Sequence, residues 1–139
     1  MSLRIDLETA SDETAAAIKA GLIGFNRAAV GRPDPQDFSL AVRDGETIVG
    51  GINATVQWDV VFIEHVWVSE ALRGRGLGRD LMARVEAEGA RLGAIKAILD
   101  TNDWQAPGFY AKLGYERFGA YTYDGGRKEC ILLVKEPLI

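Results

Sequence analysis

Three arginines and three glycines alternate within residues 68–79, which read V-S-E-A-L-R-G-R-G-L-G-R. The stretch follows an apolar run over 60–68 and precedes a helical pattern that begins near Gly78, so it predicts a turn from a strand into a helix. Glycines there allow positive φ and leave backbone N–H groups accessible, and a helix N-terminus adds unsatisfied donors and partial positive charge. Arginine side chains add full charges. Phosphate binding is the chemistry that these residue types serve.

The spacing of these residues separates one kind of phosphate turn from another. A dinucleotide-binding G-x-G-x-x-G that starts at Gly74 would need glycine in place of Arg79, and no acidic residue ends a matching second strand. A Walker A loop would need Gly-Lys-Ser/Thr, which the sequence lacks. An ordinary glycine-rich turn with solvated arginines stays open as an alternative. The pattern that remains is R-x-x-G-x-G, formed by Arg73, Gly74, Arg75, Gly76, Leu77 and Gly78.

Composition limits the class of protein that can carry this turn. A chain of 139 residues that is 47% hydrophobic predicts a single domain over 1–139. A net charge of −4, with the arginines concentrated in one turn, argues against a nucleic-acid partner and mildly favours a cationic one. One histidine and one cysteine offer no metal-ligand cluster and no disulfide within the chain, so no metal is expected and Cys130 is interpreted as a buried thiol. The N-terminus has no signal pattern and no apolar run approaches 18 residues, so a cytoplasmic protein with no membrane partner is expected.

Apolar periodicity and turn residues predict a mixed α/β order of elements. Helices are expected from Ser11, as N-cap, through Phe25, over 78–92, and over 105–113 with Asp103 as N-cap. Residues 26–37 are expected to form the longest loop. Asp44-Gly45 predicts a hairpin turn, and Gly50-Gly51 a β-bulge. Strands are expected over 3–7, 38–43, 47–57, 60–68, 94–101, 115–123 and 128–135. Hairpins mixed with crossovers predict a mixed sheet with helices on both faces.

A second segment, residues 106–116, reads A-P-G-F-Y-A-K-L-G-Y-E and resembles the A-x-x-F-Y-x-K-x-G-F pattern of the GNAT N-acetyltransferase superfamily. The R-x-x-G-x-G turn is similar to the coenzyme-A pyrophosphate signature of the same superfamily, and the residues that flank the second segment resemble one bacterial subgroup of uncharacterised members. The resemblance runs from about Gly50 to Leu138. It implies the GNAT fold, a mixed and mostly antiparallel sheet of six to seven strands with helices on both faces.

The resemblance also implies how a donor, acetyl-CoA, is bound. In the superfamily the strand that matches 60–68 parts from its parallel neighbour, and the backbone that matches Val66, Trp67 and Val68 pairs with the pantetheine arm. The N–H of Val66 would hold the thioester carbonyl, and Arg73–Arg79 would hold the pyrophosphate. The family often has asparagine where this chain has Asp103. Asn102 stands one position earlier and is the candidate for that cofactor contact.

Two residues are candidates for acid–base chemistry. An alkylammonium acceptor must lose a proton, which costs roughly 4 kcal/mol at pH 7 without help, so Glu64 is the candidate general base. Strand alternation predicts it on the same face as Val66 and Val68; a buried, paired carboxylate is the alternative. Tyr110 occupies the tyrosine position of the F-Y-x-K-x-G pattern, where the superfamily commonly protonates the coenzyme-A thiolate; a packing tyrosine is the alternative. His65 is expected on the face opposite Glu64 as a packed, hydrogen-bonded side chain.

The resulting interpretation is an acetyl-CoA-dependent N-acetyltransferase that moves an acetyl group directly to a primary amine of a small molecule. Two alternatives stay open: a non-catalytic domain that binds coenzyme A or an acyl-CoA, and an acetyltransferase that acts on a protein or an aminoacyl-tRNA. The acceptor pocket is expected from 25–36 and 119–127, with Trp58, Trp104, Tyr121 and Tyr123 as candidate lining. Analogy with the superfamily suggests a homodimer.

Overall fold

Two compact units are present in the computed structural model, which describes residues 1–138. The first unit, Met1–Asp34, contains one helix, α1 (Asp12–Val30). Ser11 is its N-cap as predicted, because its side chain accepts a hydrogen bond from the Thr14 N–H at 3.2 Å. The helix ends at Gly31, whose φ of 71° is left-handed.

Two predictions for the first unit are wrong. Residues 3–7 form no strand, because alternating side chains make a strand only where a neighbouring strand accepts the backbone hydrogen bonds, and this segment pairs with none among residues 1–138. The helix continues five residues beyond Phe25, so the predicted loop over 26–37 shrinks to 31–35. Arg27 in the last helical turn forms an ion pair with Asp34 at 2.6 Å, which closes this short connection.

The second unit, which begins at Pro35, carries a six-stranded sheet in the order β1-β2-β3-β4-β6-β5. Its strands are β1 (Gln36–Asp44), β2 (Thr47–Gln57), β3 (Val60–Val68), β4 (Lys96–Asn102), β5 (Glu116–Tyr123) and β6 (Lys128–Lys135), and its helices are α2 (Leu77–Arg91) and α3 (Pro107–Lys112). Only the β3–β4 pair is parallel, and the other four neighbouring pairs are antiparallel. The predicted fold class, a mixed and mostly antiparallel sheet with helices, is confirmed.

One side of this sheet, the core face, packs against both helices of the second unit. Alternate residues of β2, β3, β4 and β6 supply its apolar side chains, with Leu81, Met82 and Val85 from α2 and Tyr110 from α3. Val61 and Met82 are fully buried. The intervening residues of the strands lie on the opposite side, which we call the polar face. Cys130 is buried, as predicted.

Several element boundaries differ from the predictions by one or two residues. The third helix begins at Pro107 instead of residue 105, since proline has no N–H to leave unsatisfied in a first turn. Asp103 does not cap this helix. Its carboxylate instead accepts a hydrogen bond from the Glu129 N–H of β6 at 3.1 Å, which fastens the end of β4 to the neighbouring strand. The predicted bulge in β2 is present, but the extra residue is Val49, next to Gly50.

Candidate functional site

The turn between β3 and α2 has the backbone of an anion-binding loop. Gly74 and Gly76 have φ of 79° and 82°, values that favour glycine. Gly76 is the N-cap of α2, and the first helical hydrogen bond runs from the Asp80 N–H to the Gly76 carbonyl at 3.0 Å. The N–H groups of residues 77–79 therefore have no partner within the helix and point out of its N-terminus. These groups fit the predicted phosphate contact.

Gly78 has a different role in the turn from Gly74 and Gly76. It lies in the first turn of α2, and no positive φ is found there. A Cβ at this position would lie 3.3 Å from the ring of Phe109, a tight contact, so glycine favours the close approach of α3. Gly78 thus joins the turn to the segment that carries Tyr110.

The three arginines of the turn separate into two roles. The Arg73 Nε donates a hydrogen bond to the Val68 carbonyl at 3.0 Å, which ties the turn to the end of β3. Arg75 and Arg79 are exposed and make no ion pair with any residue in the described part of the chain. Two full positive charges therefore remain available to a ligand beside the N-terminus of α2.

The end of β3 parts from β4, as the resemblance implied. Parallel pairing covers only Val60–Ile63 against Lys96–Leu99, whereas β3 continues to Val68 along β2. The Ser69 N–H donates to the Val49 carbonyl at 2.9 Å, which fixes the alternation of this antiparallel pair. By that alternation the backbone groups of Trp67 pair with β2, while those of Val66 and Val68 point toward the side from which β4 has departed.

A β-bulge at Glu64 determines which side chains face each side of β3. Asn53 lies opposite His65, and the next residue of β2, Ala54, lies opposite Ile63, so Glu64 is an extra residue without a partner position. The extra residue shifts the alternation by one. Val66 packs against the core cluster, whereas Glu64 and His65 both lie on the polar face.

This bulge overturns two details of the prediction. Glu64 does not share a face with Val66 and Val68, and His65 does not lie on the face opposite Glu64. His65 is also exposed instead of packed, although it is hydrogen-bonded, with its Nδ1 3.2 Å from the Asn53 Nδ2. The Ser39 hydroxyl donates to the Asn53 Oδ1 at 2.7 Å, so the Asn53 amide presents its N–H to His65. With the amide in this orientation, the His65 Nδ1 accepts the hydrogen bond from Asn53.

The Glu64 carboxylate is held by a threonine of the neighbouring strand. The Thr55 hydroxyl lies 2.6 Å from the Glu64 Oε1 and 2.7 Å from the Asp37 Oδ1 of β1. Sequence reasoning missed Thr55 and Asp37, because neither lies in a motif. Polar residues at alternate positions of β1 and β2 were the available signal: Asp37, Ser39, Asn53 and Thr55.

Tyr110 lies on the core face and is 8% exposed. Its ring contacts the rings of Phe109 and Tyr115 edge to face, with centroids 5.1 and 6.0 Å away. Its hydroxyl makes no hydrogen bond with any residue of the described range. Burial raises the pKa of the Tyr110 phenol, so the group keeps its proton throughout the neutral range.

Tyr115, the neighbour of Tyr110, is anchored by a buried charge pair. Its hydroxyl donates to the Glu86 Oε2 of α2 at 2.9 Å, and the Lys135 Nζ of β6 donates to the other carboxylate oxygen at 2.7 Å. Burial, followed by the Glu86 charge, strongly raises the pKa of the Tyr115 phenol. The Tyr115 ring packs on Tyr110, so these contacts link Tyr110 indirectly to α2 and β6.

Asn102, the candidate cofactor contact, already has protein partners. Its Oδ1 accepts a hydrogen bond from the Tyr123 hydroxyl at 2.6 Å, and its Nδ2 lies 3.3 Å from the Gln105 Oε1. Tyr123 also contacts the rings of Trp104 and Tyr121, with centroids 6.1 and 6.2 Å away. Three of the four aromatic residues proposed to line the acceptor pocket therefore form one continuous group, and Trp58 instead forms the β2–β3 turn.

Two other features, a metal-binding cluster and a membrane-spanning helix, are absent from the described residues. No group of three or more histidine, cysteine, aspartate or glutamate side chains within 1–138 is placed to hold a metal ion. Over the same range, no helix is long and apolar enough to cross a membrane.

Within residues 1–138 the sheet is mixed, and its single parallel pair opens beside an arginine-glycine turn. This is the architecture of N-acyltransferases, and solved acetyltransferase structures have a similar fold. The fold is similar to that of an acetyltransferase from Agrobacterium tumefaciens, with a TM-score of 0.85 at 25% identity, over 98% of this chain and 99% of that one. An acetyltransferase from Bacillus cereus gives a TM-score of 0.76 at 26% identity, over 95% of this chain and 97% of that one.

Sequence comparison identifies the family. Residues 4–115 match the model of the acetyltransferase (GNAT) family. A blasticidin-S acetyltransferase of Streptomyces morookaense is 36% identical over 112 residues, which cover 78% of this chain and 79% of that protein. The chain belongs to the GNAT acetyltransferase family and is an N-acetyltransferase.

Proposed function

We propose that this protein, acting as a single acetyltransferase domain, transfers an acetyl group from acetyl-CoA directly to a primary amine of a small molecule. The observation that carries the proposal is the parting of β3 from β4 beside a turn with two uncompensated arginines. This opening offers backbone donors and acceptors to an extended polar ligand, and the turn offers positive charge to a phosphate.

The donor contacts follow from these groups. Backbone groups of Val66 and Val68 bind the amides of the pantetheine arm, because they point into the opening. Arg75, Arg79 and the N-terminus of α2 bind the pyrophosphate. The Val66 N–H holds the thioester carbonyl oxygen and stabilises the negative charge that develops there. Arg73 acts on the protein side, by holding the turn against Val68.

Glu64 and Tyr110 supply the proton transfers on opposite faces of the sheet. Glu64 accepts the proton that the ammonium group of the acceptor must lose. The neutral amine nitrogen then bonds to the thioester carbonyl carbon, the carbon–sulfur bond breaks, and Tyr110 donates its phenolic proton to the leaving thiolate. The nitrogen loses its second proton to water as the amide forms, and water returns a proton to the Tyr110 phenolate. Because burial raises the pKa of Tyr110, its proton is retained until sulfur carries negative charge.

A cationic small molecule fits the acceptor role. The net charge of −4 favours a cation, and Glu64 and Asp37 place carboxylates together on the polar face. The relative from Streptomyces morookaense is a blasticidin-S acetyltransferase, which supports amine-bearing antibiotics as a first class to test.

The decisive experiment screens blasticidin S, aminoglycosides, polyamines and lysine-containing peptides for release of the coenzyme-A thiol. We expect at least one small amine to be acetylated, with mass spectrometry locating the acetyl group on nitrogen. Release with peptides alone would favour a protein acetyltransferase. An acetyl-CoA-dependent rise in melting temperature without any release would favour a binding domain.

Two variants test the assigned residues. Glu64→Gln and Tyr110→Phe should each lower kcat by about 100-fold, the lower end of the range for general acid–base catalysis. Glu46→Gln, in the exposed turn between β1 and β2, is the matched control and should keep wild-type turnover. Unchanged kcat in Glu64→Gln would remove Glu64 as the base without affecting the donor site.

A further inference from the structure

The Thr55 hydroxyl lies between two carboxylates, within hydrogen-bond distance of both. Its Oγ1 is 2.6 Å from the Glu64 Oε1 and 2.7 Å from the Asp37 Oδ1, so three neighbouring strands contribute one side chain each. The row crosses the polar face from β3 through β2 to β1. Its β1 member, Asp37, is exposed.

Two such contacts require two protons, but the hydroxyl has only one. Thr55 can donate its hydrogen to one carboxylate and must accept a hydrogen from the other. An oxygen–oxygen contact of this length without a hydrogen between the atoms would be repulsive. The row is therefore complete only when it holds one proton more than Thr55 itself supplies.

We propose that Thr55 and Asp37 form a relay that carries the acceptor's proton away from Glu64. The inference rests on the proposed function, because it takes Glu64 as the group that deprotonates the amine. The proton taken from the ammonium nitrogen binds to Glu64. Glu64 then donates a proton to the Thr55 Oγ1 as Thr55 passes its own to the Asp37 Oδ1, and Asp37 releases it to water.

The neighbouring polar row shows why the threonine matters. Ser39 and Asn53 lie two residues from Asp37 and Thr55, His65 lies next to Glu64, and the three side chains connect through the Asn53 amide. An amide N–H cannot pass a proton onward without converting the amide to its imidic acid, whereas a hydroxyl exchanges donor and acceptor roles by rotation. Of the two rows, only the one through Thr55 can carry protons from the bulge to β1.

Three variants test the relay with blasticidin S, neomycin and spermine as probe amines. Thr55→Val removes the hydroxyl and keeps the β-branched shape. It should lower kcat by about 10-fold, a part of the general-base effect, with the KM for acetyl-CoA unchanged. Thr55→Ser restores the hydroxyl and should recover kcat to within about 2-fold of wild type. Asp37→Asn should lower kcat as much as Thr55→Val does. The double variant Thr55→Val/Asp37→Asn should lose no more kcat than either single variant, because both residues act in one row.

Thr47→Val, the same change at the start of β2 and opposite Asp44, is the matched control and should keep wild-type kcat. Circular dichroism melting shows that each variant is folded. Comparison of kcat in H2O and D2O gives an independent measurement: a relay moves more than one proton, so the solvent isotope effect should be larger in the wild type than in Thr55→Val.

Three results would overturn the relay. Wild-type kcat in Thr55→Val would show that the hydroxyl carries no proton. Equal losses in Thr55→Val and Thr55→Ser would assign Thr55 to packing alone. Additive losses in the double variant would place Thr55 and Asp37 in separate roles. If one of these results is found and Glu64→Gln still has a lowered kcat, the proposed function survives without the relay. Absence of turnover by the wild type with all three amines would refute both.

Discussion

Gly89 provides the sharpest test of how α2 is seated on the sheet. It is buried in α2, and a Cβ built on it would lie 2.9 Å from both the Cβ and the Cγ1 of Val61, which is fully buried in β3. Ordinary van der Waals contact begins at 3.4 Å. Because both Cβ atoms are fixed by their backbones, no rotamer relieves the Gly89→Ala contact. The helix must move away from β3.

The magnitude follows from two opposing terms. Overpacking a core costs about 1–3 kcal/mol, and the rigid contact here favours the upper end. Alanine in place of glycine stabilises a helix interior by about 1 kcal/mol. We therefore expect Gly89→Ala to lower the free energy of unfolding by about 2 kcal/mol, which corresponds to a loss of about 8 °C in Tm for a chain of this size.

Urea unfolding and thermal melting followed by circular dichroism measure this effect. Gly108→Ala in α3 is the matched control, since a Cβ there meets no atom within 4 Å, and it should leave Tm unchanged or slightly raised. A Gly89→Ala protein that melts at or above the wild-type temperature would refute the close approach of α2 to Val61.

The remaining predictions concern the arginine-glycine turn between β3 and α2 and the two buried tyrosines, Tyr110 and Tyr115. Arg75→Gln and Arg79→Gln should each raise the KM for acetyl-CoA by about 5-fold at low salt and by less at high salt. Arg84→Gln, further along α2, is the control and should leave this KM unchanged. An increase in KM that is equal at every ionic strength would contradict a charge contact. Burial raises the pKa values of Tyr110 and Tyr115, so only the unfolded phenols ionise near 10.0, and the folded state loses stability as the pH rises above about 10. In Tyr115→Phe, the free energy of unfolding measured in urea should fall less steeply between pH 8 and 11 than in the wild type. An equal slope against pH would contradict this assignment.

The elements that the sequence predicted correctly are those with local signals. Strand β3 is an apolar run interrupted by Glu64 and His65, the β5–β6 turn has Gly125 and Gly126, and the turn between β3 and α2 combines glycine with arginine. In each case the residues that determine the conformation are neighbours in the chain. The fold class followed from the order of these elements together with the two motifs.

The features that the sequence did not predict depend on partners distant in the chain. No glycine or proline marks the bulge at Glu64, because it arises from how β3 pairs with β2. The tight contact at Gly78 is made by Phe109, a residue distant in the chain. Residues 3–7 alternate like a strand but have no strand to pair with among residues 1–138. The Glu64–Thr55–Asp37 row depends on register, which alternation alone does not fix.

The extra residue in β3 has a consequence for protein engineering. Strand segments on either side of a bulge keep their own alternation, so position 65 can change while Val61, Ile63 and Val66 keep facing the core. Saturation mutagenesis of that single codon would vary the polar face beside Glu64, the proposed general base, with little demand on folding. Substrate range could then be evolved separately from stability.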